Sequence, residues 1–240
     1  MPHARPLSLQ LAAGLLAIAC LPAVHAAPLI VNGGFESGFT GWTRADQVGS
    51  EGTFSIQSGT ASPLLGDPVP TPPAGSNAAM TDAEGPGAHV LYQDFVAAAG
   101  PATLSFQLFI GNRGDRFATP ATLDFSIAAI NQQARVDILK AGADPFSLAA
   151  GDILLTLFTT PVGSDLVTGY NTVSTDISAL LAANDGQTLR LRFAETDNLA
   201  PFQMGVDDVR IRGANVVPEP GSYALAGLAL LGLALSRRRA

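Results

Sequence analysis

The chain has 240 residues, 47% of them hydrophobic, which is enough for one or two domains with a buried core. Its net charge is −7, and four of its 13 basic residues, Arg5 and the cluster 237–239, lie near the ends. Residues 27–218 therefore hold nine basic and nineteen acidic residues, a balance that disfavours nucleic acid as a partner and permits divalent cations. The single cysteine, Cys20, excludes disulfides from the rest of the chain.

The first segment has the composition of a secretion signal. A short basic region with Arg5 precedes an apolar run over 7–21, and small residues then occupy positions −3 and −1 before Ala27. This order predicts a signal peptide over residues 1–26, with signal peptidase cleaving between Ala26 and Ala27. The protein is thus expected to be exported across the inner membrane.

Two other interpretations of this segment remain open. The apolar run could be a membrane anchor, although it is short for spanning about 30 Å of hydrocarbon. Cys20 could instead mark a lipoprotein, although the leucine usual at position −3 of a lipobox is missing.

A proline-rich stretch interrupts the next part of the chain. Residues 62–76 contain five prolines, and prolines this dense cannot donate the hydrogen bonds of a β-ladder. The stretch is predicted to be a surface loop rather than a linker, because residues 27–59 alone are too few for a core. We therefore expect one domain over 27–215.

Most of the domain alternates apolar and polar residues, which is typical of β-strands. One short helix is predicted over 176–183, with Asp176 as its N-cap and its end near Gly186. Many short strands separated by turn residues predict an all-β fold, an antiparallel β-sandwich. The predicted strands are Ala102–Ile110, Leu123–Ile127, Arg135–Ile138, Leu189–Phe193 and Val209–Arg212, with further runs at His89–Phe95 and Ile153–Thr159.

The chain ends with a Pro-Glu-Pro motif, an apolar segment over 223–235 and an arginine cluster. This array resembles the PEP-CTERM sorting signal of Gram-negative bacteria that make extracellular polysaccharide, and it covers residues 216–240. The resemblance implies processing by an exosortase and a location at the cell surface or outside the cell. The residues of the motif are Pro218, Glu219, Pro220, Arg237, Arg238 and Arg239.

The physical properties of this tail agree with such a signal. The arginines are retained on the cytoplasmic side, so the domain faces outward. The apolar segment 223–235 would span about 20 Å at 1.5 Å per residue, which is thin for a permanent anchor. We expect contact with the membrane to be transient, and a plain tail anchor remains the alternative.

Two motifs at the ends of the domain point to a more specific architecture. The segment 31–38, followed by Gly41-Trp42, and the segment 205–211 resemble the ends of the galactose-binding-like jelly roll found in carbohydrate-binding modules. The resemblance implies that the first and last strands pair. It also implies one structural Ca²⁺ held by Glu36 and Asp207, with Asp208 as a further candidate.

The alternative is that these acidic residues bind no metal ion. Glu36 would then be a turn residue, and Asp207 and Asp208 would be a solvated strand end. Phe35 and Trp42 are predicted to belong to the core, because buried aromatic residues are commoner than exposed sugar-stacking platforms.

The signatures of common enzymes are missing from the sequence. Once the signal is removed His89 is the only histidine, and there is neither a Gly-x-Ser-x-Gly elbow nor a free thiol. We therefore expect a non-enzymatic cell-surface or biofilm-matrix protein associated with extracellular polysaccharide. A specific carbohydrate-binding module and a glycan-active hydrolase are the alternatives.

Overall fold

Residues 29–213 are described by a computed structural model. The predicted signal peptide with its cleavage point between Ala26 and Ala27 lies outside the described residues. The sorting motif at Pro218–Pro220 and the arginine cluster lie outside them too.

Within residues 29–213, ten strands form two five-stranded sheets in which all pairings are antiparallel. Sheet A has the order β1-β4-β9-β6-β7, and sheet B has the order β2-β3-β10-β5-β8. This confirms the predicted antiparallel β-sandwich with one short helix. The elements are β1 Thr43–Asp46, β2 Thr53–Ser58, β3 Asn77–Asp82, β4 Gly87–Val96, β5 Ala102–Asn112, β6 Gln132–Lys140, β7 Ile153–Thr159, β8 Asn171–Asp176, α1 Ser178–Ala183, β9 Thr188–Asp197 and β10 Phe202–Gly213.

The core lies between the two sheets and is built mainly from alternate residues of the longer strands. The rings of Phe106 on β5 and Phe193 on β9 meet edge to face, with 5.2 Å between their centroids. Phe35 is fully buried and Trp42 is 7% exposed, with 5.3 Å between their rings. Both residues therefore belong to the core, as predicted.

The predicted strand at Leu123–Ile127 is wrong. Only Leu123 of the three alternating apolar residues is buried, and the segment is an irregular loop. The side-chain amide of Asn198 donates to the carbonyl oxygens of Phe125, Ile127 and Ala129. Side-chain amides therefore replace the neighbouring strand as the partners of this backbone, which the apolar alternation alone could not reveal. The other six predicted strands are confirmed.

The predicted helix is present, but its N-cap is Ile177 rather than Asp176. Asp176 is the last residue of β8. Its carboxylate accepts hydrogen bonds from the amide and the hydroxyl of Ser178, at 2.8 and 2.6 Å. The carboxylate thus stabilises the first turn from the residue before the N-cap, because the strand extends to Asp176.

The proline-rich segment is a loop, as predicted, and it covers the outer face of sheet B. Val69 of this loop packs on Met80 and Phe109, in a small apolar cluster separate from the main core. The carboxylate of Asp82 accepts hydrogen bonds from the amides of Leu64 and Leu65, at 2.7 and 2.8 Å. The loop is therefore an ordered layer of the fold.

The expected pairing of the first and last strands is wrong. β1 lies at the edge of sheet A and pairs with β4, whereas β10 lies inside sheet B between β3 and β5. The segment before β1 consists of turns, because several of its residues take left-handed backbone conformations that a strand cannot contain. These turns pack against β10, and the Val209 amide donates to the Gly33 carbonyl oxygen over 2.9 Å.

The single helix of residues 29–213, α1, has six residues. In this part of the chain no helix has the length and apolar character needed to cross a membrane.

Candidate functional site

The N-terminal turns are organised by one asparagine. Asn32, with a φ of 51°, donates from its side chain to the carbonyl oxygens of Gly38 and Thr40, at 2.8 and 3.2 Å. Its own carbonyl oxygen accepts a hydrogen bond of 3.1 Å from the Trp42 indole. Asparagine tolerates this left-handed conformation better than most residues, so the motif specifies a turn at this point.

A β-bulge in β10 receives these turns. The register between β10 and β5 shifts between Asp207 and Arg210, and Asp208 within the bulge has a φ of 49°. The bulge directs the Asp208 carboxylate to the Arg210 guanidinium, at 2.5 Å. Asp208 is thereby held in an ion pair with Arg210 on the same strand.

Glu36 and Asp207 both bind the backbone of the same loop, residues 74–77. Glu36 Oε1 accepts hydrogen bonds from the amides of Ser76 and Asn77, at 2.8 and 2.9 Å. Asp207 Oδ2 accepts one of 3.0 Å from the amide of Ala74. The structure thus brings these two predicted site residues together from opposite ends of the domain.

Burial and neighbouring negative charges act on this pair. Burial raises the pKa of Asp207 to about 6, the amides of Asp208 and Ala74 oppose that rise, and the charges of Asp208 and Glu36 add to it. Within residues 29–213, Glu36 and Asp207 form no ion pair with Lys or Arg. Two carboxylates without basic partners are donors of the type that Ca²⁺ prefers.

The backbone around the pair is also shaped by small residues. A Cβ at Gly75 would collide with the Glu36 carboxylate, and the ideal Cβ position at Gly34 lies 3.8 Å from Asp207 Oδ1. Glycine at position 75 leaves room for the Glu36 carboxylate, whereas a Cβ at Gly34 would make only an ordinary van der Waals contact with Asp207. Two carboxylates would give a Ca²⁺ ion only part of its six to eight oxygen ligands, and backbone carbonyls and water would have to supply the rest.

A groove of about 500 Å³ opens between the edge strands β1 and β2. The Arg44 guanidinium lies 4.6 Å above the Phe39 ring and donates to the Phe54 carbonyl oxygen over 2.9 Å. The groove thus combines a half-buried aromatic ring with polar side chains. It is lined by Phe39, Trp42, Thr43, Arg44, Asp46 and Thr53.

A second group of polar residues lies buried between the sheets, and sequence reasoning missed it. His89 of β4 stands opposite Glu195 of β9 in the ladder, and Asp197 lies two residues further along β9. A ring nitrogen of His89 and one carboxylate oxygen each from Glu195 and Asp197 lie within 4.8 Å of one another. Asp46 Oδ1 lies 2.7 Å from His89 Nδ1.

A signal for this cluster was present in the sequence. Leu189, Leu191 and Phe193 predict the inward face of β9, and continuing that alternation places Glu195 and Asp197 inward too. Acidic residues at inward positions of a strand are unusual, and they mark sites where a buried charge needs a partner.

Burial controls the protonation of this cluster. It raises the pKa of Glu195 well above its ordinary value, and the nearby Asp197 charge raises it further. Burial also raises the pKa of Asp197 to about 7, against the opposing effect of the Gly87 amide, which donates to Asp197 Oδ1 over 2.8 Å. Glu195 Oε1 is buried and accepts no hydrogen bond from the described residues.

Comparison with known proteins gives a family match at one end of the chain. Residues 216–239 match the family described as PEP-CTERM protein-sorting motif. This motif indicates export and surface sorting in Gram-negative bacteria, as the tail residues predicted. No curated protein matches the chain.

Several solved structures are similar to the sandwich in fold. The carbohydrate-binding module TmCBM61, solved with β-1,4-galactotriose, is 10% identical over 78% of this chain and 99% of its own, with a TM-score of 0.42. CBM28, specific for non-crystalline cellulose, is 13% identical over 77% and 95%, with a TM-score of 0.41. A Stig cyclase from Fischerella sp. TAU is 16% identical over 78% and 98%, with a TM-score of 0.45.

Proposed function

We propose that this protein is a non-enzymatic β-sandwich that an exosortase sorts to the cell surface or the extracellular matrix, where it associates with extracellular polysaccharide. The match of residues 216–239 to the sorting motif carries the proposal. That segment begins three residues after β10 ends at Gly213, so export would deliver the sandwich together with its tail.

The groove between β1 and β2 is the proposed contact for polysaccharide. Sugars bind proteins through hydrogen bonds to their hydroxyls and through packing of their apolar ring faces on aromatic side chains. Thr43 and Thr53 provide hydroxyls, and Phe39 provides a ring. Because Arg44 covers that ring and Trp42 is only 7% exposed, the groove favours weak and broad binding over the sharp selectivity of a specific module.

Calcium is proposed as the structural ion of the domain. Glu36 and Asp207 would hold it, and Asp208 would stay paired with Arg210. A Ca²⁺ ion there would neutralise two neighbouring carboxylates and tie the N-terminal turns to β10 and to the loop 74–77. Its role would be to stabilise the fold, because binding to the folded state alone lowers the free energy of that state.

Processing is tested on the full chain expressed in a Gram-negative host with an active exosortase. Intact-mass analysis of the secreted protein should give a chain that begins at Ala27 and lacks the segment after Pro220. A variant with alanine at Arg237, Arg238 and Arg239 provides the control and should be processed less. Recovery of the wild-type tail through Ala240 would contradict exosortase handling.

Polysaccharide binding is tested by affinity electrophoresis and on a glycan array. The wild type should be retained weakly by many neutral polysaccharides, and Phe39→Ala should reduce that retention. Val162→Ala changes a side chain that is 76% exposed and lies outside the groove, so it should behave as the wild type. Strong binding to one glycan would favour a specific carbohydrate-binding module, and release of new reducing ends would favour a hydrolase.

A further inference from the structure

The buried cluster of His89, Glu195 and Asp197 has the composition of a metal site distinct from the proposed calcium pair. All three side chains belong to sheet A and point into the space between the sheets, where none is more than 4% exposed. Their nitrogen and oxygen donors lie within 4.8 Å of one another, so small side-chain adjustments would let them share one ion.

One of these donors lacks a partner. Glu195 Oε1 is buried and accepts no hydrogen bond from residues 29–213. In the same part of the chain neither Glu195 nor Asp197 is paired with Lys or Arg. A buried carboxylate oxygen without a partner carries a large desolvation penalty, which a cation or a proton would remove.

The environment of His89 distinguishes between a cation and a proton. Asp46 Oδ1 lies 2.7 Å from His89 Nδ1. In the neutral ring whose Nδ1–H donates to this carboxylate, the lone pair of Nε2 is available to a metal ion. A carboxylate behind a metal-binding histidine is a common outer-shell arrangement in metal sites. A proton shared by Glu195 and Asp197 would satisfy those two residues without involving the imidazole that lies beside them.

The backbone also accommodates the ring. A Cβ at Gly87 would collide with Nε2 of His89, so only glycine leaves room for the ring beside β4 at this position. The Gly87 amide donates to Asp197 Oδ1 over 2.8 Å and thereby orients that carboxylate. Gly87 thus positions both the imidazole and one of the two carboxylates.

We propose that His89, Glu195 and Asp197 bind one divalent transition-metal ion, of the Zn²⁺ or Mn²⁺ type, between the two sheets. One imidazole and two carboxylates suit these ions, whereas Ca²⁺ takes six to eight oxygens. The hydroxyl of Thr81 on sheet B hydrogen-bonds Glu195 and so ties this ligand to the opposite sheet, and water would complete the coordination. The ion would join the two sheets at the end of the sandwich next to Asp46.

The test uses the full-length chain, stripped with a chelator and dialysed against Zn²⁺ or Mn²⁺. Elemental analysis should find one ion per chain that is lost in Glu195→Gln, a change that preserves the shape of the side chain. With metal at about a thousandfold excess over Kd, the melting temperature should rise by about 8–16 °C in the wild type. Glu84→Gln alters an exposed carboxylate and is the matched control, which should keep both the ion and the shift.

Two further variants keep the test decisive. Asp207→Asn should retain the ion, which separates this site from the calcium pair. If Glu195→Gln does not fold, Asp46→Asn replaces it and should weaken metal binding by about 10–100-fold. The proposal is overturned if wild type and Glu195→Gln hold equal metal. It is also overturned if neither holds metal and Glu195→Gln melts higher than wild type, since that result identifies a shared proton.

Discussion

The carbonyl oxygen of Gly33 accepts a hydrogen bond of 2.9 Å from the amide of Val209, which joins the N-terminal turns to the last strand. A Cβ at Gly33 would collide with the Val209 carbonyl oxygen. The first motif of the domain thus needs glycine because two backbones approach closely at this point, in the middle of the β10 bulge.

Gly33→Ala is therefore expected to destabilise the domain by about 1–3 kcal/mol, as overpacking against rigid backbone does. Urea unfolding should show a lower midpoint with an unchanged slope. Gly142→Ala is the control, because Gly142 is exposed and a Cβ there would meet no atom within 4 Å. Equal midpoints for the two variants would mean that the turns do not pack on β10.

Calcium should stabilise the domain through Glu36 and Asp207. Extracellular sites often have Kd values of about 10⁻⁴ to 10⁻³ M, so 10 mM Ca²⁺ should add roughly 1–3 kcal/mol and raise the melting temperature by several degrees over EGTA. Asp207→Ala should remove this shift. Asp115→Ala alters a carboxylate with a 73% exposed side chain and should retain it. A wild type that melts at one temperature in both buffers would leave Glu36 and Asp207 as loop anchors.

The sequence predicted the sandwich well, because apolar and polar residues alternate along most of its long strands. The alternation in β5 and β9 continues across nearly their whole lengths, and both strands lie within their sheets. The end motifs also led to Glu36 and Asp207, which the structure brings to one loop. The prediction that the first and last strands pair was wrong, because turns rather than a first strand contact β10.

Other features depended on contacts that no local pattern encodes. Leu123–Ile127 alternates as a strand does, yet its carbonyl groups bind amide side chains that are distant in sequence. His89 is the only histidine after residue 26, so the sequence did not predict a site there, but strand pairing places it opposite Glu195. Local patterns predict which face of a strand a residue occupies, whereas register decides which residues meet across strands.

Asn198 gives a direct test of the amide-bound loop. Its side chain donates to three loop carbonyl groups and accepts a hydrogen bond of 2.7 Å from the Asn131 amide. Asn198→Ala should leave these groups unpaired and cost about 1–3 kcal/mol. Hydrogen exchange should become faster at the Asn131 amide and at neighbouring loop amides, whereas β5 should keep its protection.

The control for this loop is Asn171→Ala, which removes a side chain with one exposed hydrogen bond of 3.2 Å to the Gly169 carbonyl oxygen. It should leave both stability and loop protection close to those of the wild type. If Asn198→Ala exchanges no faster than Asn171→Ala, the loop is held by packing of Leu123 alone.

A buried charge network on the outer face of sheet A contributes to the response of the domain to acid. Asp137 and Arg192 are both fully buried and form an ion pair, and Arg135 donates to Asp137 over 2.7 Å. The Arg192 guanidinium also donates to the carbonyl oxygens of Pro145 and Ser147, at 2.7 and 2.8 Å. The alternation of the strands places Asp137 and Arg192 on the outer face of the sheet. The loop that contains these carbonyl groups covers that face and buries both side chains.

The pKa of Asp137 determines the pH range over which this network stabilises the folded domain. Burial opposes its ionisation, but the hydrogen bonds and charges of Arg135 and Arg192 outweigh burial and lower the pKa below 3.8. A carboxyl whose pKa is lower in the folded state than in the unfolded state stabilises the fold above the unfolded value. That contribution is present at neutral pH and disappears as the pH falls below about 3.8 and through the folded pKa.

Asp137→Asn should therefore cost about 3–5 kcal/mol at pH 7, because it leaves the Arg192 charge buried without its partner. The difference in stability from the wild type should shrink below pH 4, where wild-type Asp137 becomes protonated as well. Urea unfolding measured at pH 7, 5, 4 and 3 checks both statements, with Asp165→Asn as a control at an exposed carboxylate. A stability difference that stays constant from pH 7 to pH 3 would show that the ionised Asp137 contributes nothing to folding beyond its shape.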